Sequence, residues 1–115
     1  MITALRGVTL FVPDVAKVRD FYAETLALDI ASEQDEVISF DVGGAMLCLD
    51  SRGDRKKTPT GHSLWFQTDS FQSLADRLEA ARTPVVRGPE KSTGNGKWFI
   101  VVRDPAGCEI RIDES

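Results

Sequence analysis

One histidine, two cysteines and a charged alternation near the C-terminus are the places where this 115-residue chain could do chemistry. His62 could ligate a metal through a neutral ring nitrogen or move a proton near pH 7. A catalytic role would need a partner, and none is visible in the sequence around it; following Gly61, it also reads as an edge residue at a strand start. Cys48 and Cys108 are too few for a disulfide framework and stand in no zinc-like spacing, so they read as reduced thiols, at least one of them buried. Glu109, Arg111 and Asp113 alternate with Ile110 and Ile112, which places three charges on one face of a strand. The run Arg55-Lys56-Lys57 lies in a polar, proline-containing stretch and reads as a solvated linker rather than a phosphate site. The segment 90–96, with Ser92, Thr93, Gly94, Asn95 and Gly96, reads as a lid or a plain hairpin tip. It lacks the strand–loop–helix setting of a phosphate-cradling loop.

Composition narrows the classes. Apolar residues make up 42% and charged residues 28%, ordinary for a globular chain, and the length suits one domain. A net charge of −4 argues against general nucleic-acid binding, which needs a basic footprint. The acidity is concentrated in residues 1–52, whereas residues 53–115 are nearly balanced. No apolar run reaches membrane-spanning length and the N-terminus lacks a secretory pattern, so a cytoplasmic protein with no membrane partner is expected.

An internal repeat supplies the elements that would position these residues. Gly7-Val8-Thr9-Leu10-Phe11-Val12-Pro13-Asp14 matches His62-Ser63-Leu64-Trp65-Phe66-Gln67-Thr68-Asp69 at an offset of 55. Gly44-Ala45-Met46-Leu47-Cys48-Leu49-Asp50 matches Gly107-Cys108-Glu109-Ile110-Arg111-Ile112-Asp113 at an offset of 63. The difference requires an insertion in the second copy, for which the Gly/Pro/Ser-rich stretch 87–96 is the natural place. Val15, Val18, Phe21, Tyr22 and Leu26 recur at helical spacing behind Asp14, and Phe71, Leu74, Leu78 and Ala81 do so behind Asp69. Thr83-Pro84 ends the second helix. Strands are predicted at 28–33, 37–42 and 45–50, with Gly43-Gly44 as a hairpin turn, and at 85–87, 97–103 and 108–113. Each half reads β-α-β-β-β, an α+β class: module one over 1–52, a linker over 51–60 and module two over 61–115 of a single domain.

This doubled module resembles the vicinal oxygen chelate superfamily, which includes glyoxalase I, extradiol dioxygenases and bleomycin-resistance proteins. The resemblance rests on Val8-Thr9-Leu10-Phe11-Val12-Pro13-Asp14, on Phe21-Tyr22 with Leu26 and Leu28, and on Arg103-Asp104-Pro105-Ala106-Gly107, and it covers nearly the whole chain. It implies two curved half-sheets forming a cup around a ligand, with helices outside. Alternation then directs Gly7, Thr9 and Phe11 into the cup, with Met46, Cys48 and Asp50; His62, Leu64 and Phe66; Glu109, Arg111 and Asp113; and Phe99, unless a bulge brings Trp98 in instead. The family's four metal-ligand positions fall on Gly7, Cys48, His62 and Arg111. Glycine has no donor and arginine no lone pair, so no metal and no cofactor is expected. A nearby Arg111 would lower the pKa of His62 and leave it neutral. Arg111 itself either binds ligand or closes an ion pair with Asp50, Glu109 or Asp113.

The expected function is metal-independent binding or sequestration of a small organic molecule, as in bleomycin-resistance proteins, by a homodimer. Its candidate site residues are Phe11, Met46, Cys48, Asp50, His62, Phe66, Phe99, Glu109 and Arg111. Two alternatives remain open: a glyoxalase-like lyase, isomerase or dioxygenase with an atypical metal site built from His62, Cys48 and Glu109, and an accessory module acting through its dimer surface.

Overall fold

The computed structural model describes residues 1, 3–52 and 63–115, which form two compact units, Met1–Pro59 and Thr60–Ser115. In the first, strand β1 (Gly7–Phe11) leads through Asp14 into helix α1 (Val15–Asp20). The Asp14 carboxylate accepts the Ala16 amide at 3.0 Å, answering one of the free N–H groups of the first turn. The helix then widens into a π-helical segment, Phe21–Thr25, closed by Leu26 N–H donating to the Phe21 carbonyl. That widening lets consecutive aromatics both go inside: Phe21 and Tyr22 are buried edge to face, with Tyr22 also beside Phe40. Strands β2 (Asp29–Glu33), β3 (Val37–Val42) and β4 (Ala45–Asp50) complete a sheet of order β1-β4-β3-β2. The β3–β4 hairpin turns on Gly43 and Gly44, both at positive φ, which glycine adopts without steric cost.

Alternation sorts this sheet into two faces. Leu10, Val12, Ile38, Phe40, Leu47 and Leu49 are buried, and with Val15, Val18, Phe21 and Tyr22 they make the module's core. Burying such side chains contributes roughly 1.5–3 kcal/mol each. Arg19 of α1 ties down to Glu33 on β2, which holds the Glu33 carboxyl below the usual carboxylate range.

The second unit repeats the plan: β5 (Ser63–Thr68), α2 (Phe71–Ala80), β6 (Val85–Lys91), β7 (Trp98–Arg103) and β8 (Glu109–Glu114), in sheet order β5-β8-β7-β6. Its core is Phe71 and Leu78 of α2 against Ile100, Val102, Ile110 and Ile112. The stretch predicted as an inserted loop is partly strand: β6 runs on to Lys91, interrupted by register shifts on either side of Arg87 and by a cis Gly88-Pro89 bond. The Asp104-Pro105-Ala106-Gly107 turn is fastened by the buried Asp104 carboxylate, which accepts the amides of Ala106 at 2.9 Å and Cys108 at 2.8 Å. Among the described residues no helix is long and apolar enough to cross a membrane.

Strand pairing corrects the first repeat offset. Gly7 pairs with Met46, whereas Glu109, the counterpart of Met46, pairs with Ser63. Val15 and Phe71, the first helical residues, and Asp29 and Val85, the first residues of β2 and β6, likewise stand 56 apart. The counterpart of Gly7 is therefore Ser63 rather than His62, and Ser70 rather than Asp69 precedes α2 as its cap. The apolar letters could not fix this phase, because Leu64, Trp65 and Phe66 are contiguous and leave neither face of β5 marked.

Candidate functional site

The face of the second sheet turned away from α2 carries the most chemically specific cluster among the described residues. Trp65 on β5 pairs with Arg111 on β8, and Arg111 pairs with Val101 on β7, so their side chains rise from one row. Phe99 stands on β7 one pleat along, opposite Asp113. The Arg111 guanidinium carbon lies 4.6 Å from the centre of the Trp65 ring and 4.2 Å from that of Phe99, one ring from each flanking strand. Its Nε donates to Asp113 Oδ1 at 2.7 Å. The arrangement grades from inside to outside: Phe99 is 4% exposed, Arg111 half-buried and Trp65 67% exposed. A second guanidinium, Arg87 on β6, lies 5.3 Å from the Phe99 ring and pairs with Glu90. Cation–π contacts of this kind are worth about 0.5–1 kcal/mol where exposed and more where desolvated.

Four of the sequence candidates share the corresponding face of the first sheet. Phe11 pairs with Asp50, and Met46 and Cys48 alternate with the buried Leu47 and Leu49. Met46 is exposed, Phe11 and Cys48 are half-buried, and Asp50 is 5% exposed. Across this face runs a row of small groups, Thr9, Cys48, Ser39 and Ser32, in which the two serine hydroxyls approach to 2.6 Å. Asp50 is held from its own chain: it accepts Arg52 N at 2.9 Å, Nε at 3.2 Å and Nη2 at 3.0 Å. That pairing raises the Arg52 pKa above its ordinary value.

Of the remaining candidates, Phe99, Glu109 and Arg111 lie on the open face of the second sheet, as alternation predicts, and Trp98 points to the α2 side. Phe66 does not join them. It pairs with the buried Ile112, so it stands on the α2 face, and the one-residue phase slip puts Trp65 where Phe66 was expected. His62, and with it any effect of Arg111 on its ring, lies outside the described residues. Of the three acidic groups open to Arg111, its partner is Asp113, two residues along the same strand. Sequence reasoning did not select Trp65 or Arg87; a 56-residue offset would have put Trp65 opposite Arg111, and nothing in the sequence marks Arg87.

Cys108 is buried in the turn, and desolvation, with Asp104 and Glu109 nearby, pushes its thiol up to about 11. It is a packing residue.

Gly7 and Arg111, two of the described positions for which the resemblance implies metal ligands, do not fit a metal centre. A Cβ at Gly7 would come within 2.6 Å of the Met46 carbonyl oxygen, so close strand approach keeps any donor side chain out of that position. Arg111 brings a stacked cation with no lone pair. No three His, Cys, Asp or Glu side chains among the described residues gather as a metal-binding group.

Two four-stranded mixed sheets, each with one α-helix, make a glyoxalase-like α+β fold. A family model, the Glyoxalase/Bleomycin resistance protein/Dioxygenase superfamily, matches residues 4–112, and the chain belongs to that family. Its fold is similar to that of lactoylglutathione lyase from Agrobacterium tumefaciens, at 22% identity and TM-score 0.79, with 100% of this chain and 96% of that one covered. It is similar also to a glyoxalase-related enzyme from Fulvimarina pelagi, at 19% identity and TM-score 0.82, covering 99% and 89% of the two chains. A glyoxalase/dioxygenase from Nostoc punctiforme aligns at 21% identity and TM-score 0.82, covering 97% and 90%. No curated protein sequence matches the chain.

Proposed function

We propose that this protein binds a small organic molecule without a metal, using the open face of the second sheet around Arg111. The observation that carries the reading is Arg111 itself. A permanent cation, flanked by Trp65 and Phe99 and tethered to Asp113, stands where metal-using relatives would need a lone-pair donor. Exposed aromatic surface beside a fixed polar group suits recognition of a planar ligand. Phe11, Met46 and Cys48 offer a second surface on the first sheet, bordered by the exposed Asp41, whereas Asp50 is occupied with Arg52. Phe66 leaves the ligand-contacting set. The two units act as halves of one domain in a cytoplasmic homodimer, and the exposed Val85 and Val86 on edge strand β6 support pairing with a second copy.

Elemental analysis of the purified protein, with thermal shifts against a panel of small aromatic compounds, tests this reading. Metal-free protein stabilised by ligand after EDTA treatment is the expected result. Stoichiometric Ni, Zn, Mn or Fe, lost in His62→Ala, would replace the binder with a metal-dependent lyase or dioxygenase.

A further inference from the structure

We infer that the Trp65–Arg111–Phe99 cluster is a subsite for a planar organic carboxylate; the inference rests on the binding function proposed above and names the chemistry of its ligand. Arg111 has five N–H donors. Aromatic rings from both flanking strands approach the guanidinium, and its Nε is committed to Asp113. Nη1 and Nη2 make no hydrogen bond to any described residue, so the terminal edge of the fork is what remains to a ligand. Two parallel N–H groups on a planar cation match the two oxygens of a carboxylate, and the pairing is both charge-assisted and directional. Packing has already fixed the side chain: a half-buried arginine held by two rings and an ion pair loses little further freedom on binding.

Trp65 supplies the other half of the recognition. It is 67% exposed on the same row, and its indole N–H has no partner among the described residues. A large aromatic left open beside a fixed guanidinium offers a stacking surface for a ring attached to the carboxylate. Phe99, by contrast, is buried and serves to hold Arg111 in place. Charge sets the polarity of the subsite. The nearby acids Asp113 and Glu90 are engaged by Arg111 and Arg87, so a ligand cation would compete with two formed ion pairs, whereas a ligand anion meets an unused donor edge. Glu109, half-buried on β8 between Ser63 and Arg103, is the remaining acidic group on this face among the described residues, and it disfavours a second negative charge on the ligand. A monocarboxylate is therefore the fit.

Benzoate, benzamide and benzamidine share a size and a plane and differ in charge, so they isolate this claim. Tryptophan fluorescence of the full chain, with Trp98→Phe to leave Trp65 as the reporter, should titrate with benzoate or 2-naphthoate. Binding should be about tenfold or more tighter than for the neutral amide, and weaker as salt is raised. Arg111→Met should abolish the preference. Arg111→Lys, which keeps the charge but not the fork, should retain part of it and guards against a variant that merely fails to fold. Equal or tighter binding of benzamidine, or an unchanged benzoate preference in Arg111→Met, would overturn the inference. If amides or amidines bind while carboxylates do not, the carboxylate subsite is wrong and the binder stands. Absence of binding by any planar compound, with stoichiometric metal present, would remove both.

Discussion

The two modules spend their faces differently. On the helix side they are near copies: the row Val8, Leu47, Phe40 and Ile30 in the first answers to Leu64, Ile110, Val102 and Val85 in the second. On the open side they diverge completely. The row Thr9, Cys48, Ser39 and Ser32 carries two hydroxyls in contact and no charge, whereas its counterpart is Trp65, Arg111, Val101 and Arg87. A shared core requirement keeps the middle of these rows apolar, Leu47 and Phe40 in one and Ile110 and Val102 in the other, while Val8, Ile30 and Val85 at their ends are exposed. No such requirement acts on the open faces, so specificity can be written there. The difference puts a guanidinium between aromatic rings on the open face of module two, where module one has small polar groups at the corresponding row.

Substitutions that ignore this division should have the largest effects. Phe40→Ala and Ile110→Ala, on matching helix-side rows, should each destabilise by about 2–5 kcal/mol in chemical denaturation. Thr9→Ala on the open row should stay within about 0.5 kcal/mol. If Thr9→Ala costs as much as Phe40→Ala, the two faces are not divided as described.

Gly7 and Ser63 sharpen the comparison at one register position. Gly7→Ala forces a Cβ against the Met46 carbonyl oxygen and should cost about 1–3 kcal/mol, while Ser63→Ala should be close to neutral. Smaller again is the stability effect of Trp65→Ala, about 0.5–1 kcal/mol for one exposed cation–π contact, set against a large loss of ligand binding. Stability lost without loss of binding would make Trp65 a structural residue.

The two thiols give the last contrast, one without effect on stability at neutral pH. In the native protein Cys48 should be alkylated while Cys108 is protected, and denaturation should equalise them. Cys108 has its folded pKa raised to about 11 from an ordinary 9.0. Its contribution to stability is thus full below pH 9 and falls as pH rises toward 11, where the unfolded chain ionises first. Cys108→Ser should flatten that alkaline decline in urea midpoints.

Much of this was legible in the sequence. The helices announced themselves through Val15, Val18 and Tyr22 and through Phe71 and Leu78, because a one-sided apolar stripe has few other uses. Gly43-Gly44 and Asp104-Pro105-Ala106-Gly107 marked their turns by backbone chemistry. The Arg111–Asp113 pair was among three possibilities, and i, i+2 spacing on one strand face is the physical reason it formed. What the letters did not fix was phase. Three contiguous apolar residues, Leu64, Trp65 and Phe66, give a strand no preferred face, so alternation alone assigns Phe66 rather than Trp65 to the face of Arg111. The Asp50–Arg52 pair was also hidden, since Arg52 lies past the end of β4, where alternation no longer assigns a direction.

The function proposed above stands or falls on Arg111 as a ligand anchor. Its most direct test is an amide and indole chemical-shift titration of EDTA-treated protein with 2-naphthoate. Saturable shifts centred on the Trp65 indole N–H, Arg111 and Val101, unaltered by added Zn²⁺ or Ni²⁺, are expected. Shifts that appear only after metal is supplied, or that leave Trp65 and Arg111 untouched, would contradict it.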